Sequence, residues 1–115
     1  MTEAQILRAI HARLGARPDL RLWRVNVGVA VPIGQACPRC RDKAIRFGLP
    51  GMADLQGIIA PTGQLLSIEC KSDTGRMTPE QEAWSAMVTK FGGLSIAPCR
   101  SVEEAVEAVE HADPA

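Results

Sequence analysis

The stretch GMADLQGIIAPTGQLLSIECKSDTG, residues 51–75, constrains the fold of this chain more than any other. Two apolar runs, DLQGIIA and QLLSIECK, flank a Pro-Thr-Gly turn, which is the pattern of a β-hairpin. The hairpin carries Asp54 at one end and Glu69 and Lys71 at the other. Strand side chains alternate, so Glu69 and Lys71 lie on one face and Leu66, Ile68 and Cys70 on the other. A two-residue turn at Thr62-Gly63 predicts Asp54 opposite Lys71 and Gln56 opposite Glu69. Asp54 and Glu69 are then diagonal neighbours, with Cα atoms roughly 7 to 8 Å apart. A three-residue turn would break this arrangement unless a bulge near Gly51 or Gly57 restored it.

Two carboxylates on one face repel unless they are protonated or bound to a cation. Mg²⁺ or Mn²⁺ held by Asp54, Glu69 and the Cys70 carbonyl resolves the repulsion, polarises a phosphate and lowers the pKa of a bound water. Lys71 beside it can orient that water and offset charge building on the phosphorane. Those parts suit phosphodiester hydrolysis. The plainer reading is an Asp at a strand end beside a weakly stabilising Glu-Lys pair.

Around the hairpin, Ile6, Leu7, Ile10 and Leu14 recur at helical spacing, and Gly15 closes that helix. LRLWRVNVGVAV reads as strand. PIGQACPRCRD is an irregular excursion that returns through a short strand near AIRFG. After the hairpin, Thr78 is an N-cap with Pro79 at the first helical position and Gln81 as its capping-box partner. Ala83, Trp84, Met87, Val88 and Phe91 form the apolar face of this helix, with Trp84 and Phe91 as core residues. LSIAP is a short buried strand, and Ser101 with Glu104 opens a last helix. A strand, crossover helix and strand require a parallel pair. The expected fold is therefore α/β, a mixed sheet flanked by helices in the order α-β-β-β-α-β-α, with residues 1–115 as a single domain.

Charge is unevenly distributed over the 115 residues. Net charge is zero, yet residues 1–50 balance to +6 and the remainder to −6, which permits a basic face for phosphates. Arg24, Arg39, Arg41, Lys43, Arg46 and Arg76 are the candidate nucleic-acid contacts. With two Phe, two Trp and no Tyr, the chain lacks an aromatic platform for unpaired bases. The N-terminal stretch has no continuous apolar run, so a membrane partner is not expected. A cytoplasmic setting would keep the four cysteines reduced.

The segment RFGLPGMADLQGIIAPTGQLLSIECKSDTGRMTPEQEAWSAMVTKFGG, residues 46–93, resembles the virus-type replication-repair nuclease (VRR-NUC) domain of the PD-(D/E)XK nuclease superfamily. It carries the Gly-x-x-Asp, the Glu-x-Lys and the following Gln of that family. The resemblance implies a restriction-endonuclease-like fold, Mg²⁺ or Mn²⁺ dependence, and a phage or repair enzyme, often a homodimer, that cuts branched DNA. It makes Asp54 and Glu69 metal ligands, Lys71 the catalytic lysine, Gln81 an active-site residue and Glu3 an additional acid at the metal. Ala53 replaces the proline of the superfamily name, at a position that supplies no catalytic atom.

Residue chemistry alone reads Gln81 as a cap, and reads Glu3 as a first-turn acid favoured by the helix dipole. Both roles of Gln81 are expected to coexist only if its amide turns away from Thr78. His11 and His111 have no spaced partners. Cys37 and Cys40 make half of a zinc knuckle without a second CxxC, so zinc at Cys37/Cys40 is the weaker reading. The stronger one is a hairpin tip whose Arg39, Arg41 and Lys43 reach for phosphates. A dimer contact is expected from the excursion around Ile33 to Cys40, with the Val102, Ala105, Val106 and Val109 stripe as an alternative. A metal-dependent DNA nuclease is thus set against a non-catalytic DNA-binding or assembly protein, and metal-dependent cleavage distinguishes them.

Overall fold

The computed structural model describes residues 1–26, 28–30 and 45–112. Among them the order is α1 (Glu3–Gly15), β1 (Leu20–Arg24), β2 (Gly28–Ala30), β3 (Ile45–Phe47), β4 (Leu55–Ile59), β5 (Gln64–Cys70), α2 (Pro79–Lys90), β6 (Leu94–Cys99) and α3 (Val102–Glu110). The main sheet runs β1-β4-β5-β6, antiparallel except for the β5-β6 pair, and β2 pairs with β3 separately. This is the mixed α/β, restriction-endonuclease-like fold, with β2 and β3 set outside the main sheet. The run read as one strand over residues 20–31 is divided, with β1 ending at Arg24.

The even-numbered side chains of β5 form the larger core. Leu66, Ile68 and Cys70 pack with Leu55 and Leu20, under Ile6, Ile10 and Leu14 of α1 and Ala105 and Val109 of α3. Each large aliphatic side chain buried there contributes about 2 kcal/mol relative to exposure. The α3 stripe, with Val102 and Val106 packed against the same cluster, is therefore intramolecular core rather than a dimer contact. In β6, Ile96 and Cys99 both reach this core although they stand three positions apart, an odd number. A register shift against β5 between Ile68 and Cys70 inserts the extra residue that restores their common face.

The odd-numbered face of β5, Leu65 followed by the polar Ser67 and Glu69, lies under α2. Trp84 Nε1 donates to Ser67 Oγ at 3.0 Å, and Ser85 Oγ lies 2.6 Å from Ser95 Oγ. Val88 is the buried residue of α2, whereas Phe91, expected in the core, is 77 % exposed. Phe91 is the C-cap, beyond the last turn that meets the sheet, and Trp84 is half-buried, its indole N–H held by the buried Ser67 hydroxyl. At the last helix, Ser101 accepts from the Glu104 N–H as expected. The Glu104 carboxylate, however, takes the Arg100 N–H and not that of Ser101.

Candidate active site

The hairpin register differs from the expected one. Leu55 pairs with Ile68 and Ile59 with Gln64, leaving a four-residue connection, Ala60 to Gly63. Gly63 closes it with φ +76°, its N–H donating to the Ile59 carbonyl at 2.9 Å. Continued by one residue, this register sets Asp54 across from Glu69, not Lys71, and Gln56 pairs with Ser67, not Glu69. The loop is longer than expected by two residues, an even number, so parity is unchanged and the residues keep their faces.

Asp54 stands just beyond the end of β4, where the backbone ladder stops. Its Oδ2 replaces the missing strand partner by accepting from the Cys70 N–H at 2.9 Å. The N–H and C=O of a strand residue leave on the same side, so the Cys70 carbonyl also faces the Asp54 edge. The Cys70 thiol is buried in the core on the opposite face from Glu69.

Glu69 is 4 % exposed, and its two oxygens have different surroundings. Oε1 accepts from Gln81 Nε2 at 2.8 Å and lies 3.5 Å from Lys71 Nζ. Oε2 is buried with no hydrogen-bond partner. Burial first, and then the nearby Asp54 charge, raise the Glu69 pKa to about 7 against the opposing effect of Lys71. Lys71 Nζ also lies 3.7 Å from Glu3 Oε1, so the first turn of α1 meets the end of β5 at this ammonium. Glu3 thus stands at Lys71. Among the described residues, no group of three His, Cys, Asp or Glu side chains gathers as a metal site.

The amide of Gln81 serves both roles without turning away from Thr78. Its Oε1 accepts from the Thr78 N–H at 2.9 Å, completing the capping box, while its Nε2 reaches Glu69. Gly51 brings α2 this close to the strands. At φ +79° it lies against the first turn of α2, where a Cβ would sit 2.1 Å from the Glu80 carbonyl oxygen. A side chain at this position, three residues before Asp54, would push the two segments apart.

Asp54, Glu69 and Gln81 line a cleft of about 510 Å³ whose walls include Arg24, Asn26, Gly51 and Glu80. Arg24 is exposed at this cleft, and Arg76 is exposed after the turn that follows β5. Asn26 and Glu80 join the cleft beyond the residues expected from sequence, and the sequence signal for Glu80 is its place beside Gln81. Arg39, Arg41 and Lys43 lie outside the described residues, as do Cys37, Cys40 and the excursion around Ile33. Arg46 lies in β3, its side chain outside the description.

At this cleft the carboxylates of Asp54 and Glu69 offer hard oxygen donors of the kind a divalent cation takes, and Glu69 Oε2 has no hydrogen-bond partner. The residues present therefore fit such an ion. Comparison with curated proteins gives no match. The family model of the VRR-NUC domain matches residues 1–103, taking in α1, the hairpin, α2 and β6. Since that match spans most of the 115 residues, the chain belongs to the VRR-NUC domain family and is a nuclease of the PD-(D/E)XK type, with DNA as its substrate.

Proposed function

We propose that the protein is a Mg²⁺- or Mn²⁺-dependent endonuclease that hydrolyses phosphodiester bonds in branched DNA during phage replication, recombination or repair. The observation that carries this reading is the buried Glu69 Oε2, unpartnered beside Asp54. An orphaned, desolvated carboxylate oxygen is costly unless a proton or cation meets it. Asp54, Glu69 and the Cys70 carbonyl would hold the cation. When bound, it supplies Lewis acidity to the phosphate and a water of lowered pKa.

The protein's own groups supply the rest. Gln81 fixes the rotamer of Glu69 through Oε1 and leaves Oε2 free. Lys71, held near Glu69 and Glu3, places a positive charge where the phosphate oxygens gather negative charge. Glu3 acts here through Lys71. Arg24 at the cleft and the exposed Arg76 take flanking phosphates. A two-fold dimer would supply a second site for the paired strands of a junction. Among the described residues no helix is long and apolar enough to cross a membrane, and the buried Cys70 and Cys99 are free thiols, as a reducing cytoplasm would keep them.

The test is incubation of the purified protein with junction, flap, nicked and linear DNAs, with Mg²⁺, Mn²⁺ or EDTA. Metal-dependent cutting of branched forms in preference to linear duplex is expected. No cutting of any substrate with either metal would leave a DNA-binding protein that retains the fold, and cutting undiminished in Glu69→Gln would remove this site from the reaction.

A further inference from the structure

We propose that Arg100 is a positioning residue for Lys71, acting through the turn that follows β5. The inference rests on the reading of Lys71 as the catalytic lysine. Lysine carries its charge on a flexible four-carbon stem, and its distances to Glu69 and Glu3, 3.5 and 3.7 Å, are longer than tight hydrogen bonds. Yet the side chain is only 12 % exposed, so packing confines it.

Part of that packing comes from the Ser72–Gly75 turn. The Gly75 N–H donates to the Ser72 carbonyl at 3.2 Å, folding the chain back on the residue that precedes it. A Cβ on Gly75 would stand 3.4 Å from Lys71 Cδ and 3.5 Å from Lys71 Cβ, so the turn runs alongside the lysine stem within a methyl group's reach. Arg100 clasps this turn from β6: its Nη1 donates to the Ser72 carbonyl and, at 2.9 Å, to the Gly75 carbonyl.

Arg100 is itself anchored. It follows Cys99, whose carbonyl accepts from the Lys71 N–H at 2.9 Å, and its own N–H is taken by Glu104 Oε2 at 3.1 Å. The guanidinium thus ties α3 and β6 to the turn behind Lys71. Two neutral carbonyls take both N–H donors of Nη1, an arrangement that clamps backbone.

Steady-state cleavage by the wild type, Arg100→Ala, Lys71→Ala and the double variant, each checked for folding by circular dichroism, tests the proposal. Arg100→Ala is expected to lower kcat roughly tenfold with KM for DNA unchanged, and to add no further loss in the Lys71→Ala background. Millimolar guanidinium should restore part of the rate. Arg100→Lys, which keeps the charge on a shorter reach, should fall between wild type and Arg100→Ala, and it serves as the test if Arg100→Ala does not fold. A wild-type kcat, a loss confined to KM as for a phosphate contact, or an undiminished further loss without Lys71 overturns the proposal. Wild-type cutting by Lys71→Ala is a different failure, that of the catalytic-lysine reading.

Discussion

Gln81 holds Glu69 and the start of α2 with one amide, donating from Nε2 to Glu69 Oε1 over 2.8 Å while its Oε1 accepts from the Thr78 N–H. The two functions are chemically separable. Gln81→Glu keeps an acceptor for the cap and loses the donor to Glu69, whereas Gln81→Ala loses both. We expect cleavage to fall by about tenfold or more in each. Only Gln81→Ala should also lose the acceptor of the Thr78 N–H, worth about 0.5 to 1 kcal/mol, while Thr78 Oγ1 keeps the N–H of residue 81. Urea unfolding at pH 6 alongside cleavage rates checks the split.

Glu69→Gln and Asp54→Asn should abolish cleavage and leave the fold intact. Each removes ligand charge without changing side-chain volume, and in Asp54→Asn the amide oxygen can still accept from the Cys70 N–H. Lys71→Ala should fall to a small but measurable residual rate of cleavage while still binding Mn²⁺. Calorimetric titration with Mn²⁺ beside cleavage assays separates ligand loss from loss of the ammonium.

The raised pKa of Glu69 predicts how stability depends on pH in EDTA. Between its ordinary value of 4.5 and about 7, the folded protein holds a proton that the unfolded chain has released. Stability therefore falls as pH rises through this window, by on the order of 2 to 3 kcal/mol, and levels off above it. Glu69→Gln should flatten that part of the profile. Denaturant midpoints collected from pH 4 to pH 8 give the slope directly, and an equal slope in the variant would assign the effect to another group.

Gly51→Ala should cost on the order of 2 kcal/mol or more, because it combines a positive φ with a Cβ 2.1 Å from the Glu80 carbonyl oxygen. Relief of that overlap would move the start of α2, and Gln81 with it, away from Glu69. Lower thermal stability together with lower cleavage is expected. Gly63→Ala, with a positive φ and open space around its Cβ, should reduce stability alone.

Cys70 and Cys99 should resist alkylation in the folded protein at pH 8. Burial pushes both thiols up, Cys99 to about 11, so neither presents a thiolate. Peptide mapping after iodoacetamide treatment, with and without urea, should find them modified only when the chain is unfolded.

Much of the site was legible because strand parity survives an error of even size. Asp54, Glu69 and Lys71 were expected on one face from a register that proved two residues out, and the period of two kept them there. The helix starts at Thr78 and Ser101 were legible for a similar reason, since capping chemistry acts over three or four residues. The exposure of Phe91 and the placement of Gln81 between Thr78 and Glu69 depend on how α2 lies across the sheet. The clasp of Arg100 joins residues 25 and 28 positions apart. Local interactions are specified by neighbouring residues, and these were set by the sequence alone. Contacts between α2, β5 and β6 form only when buried area and hydrogen bonds across the whole sheet choose a single packing, so the tertiary structure decided which oxygen of Glu69 was bound and which was left free.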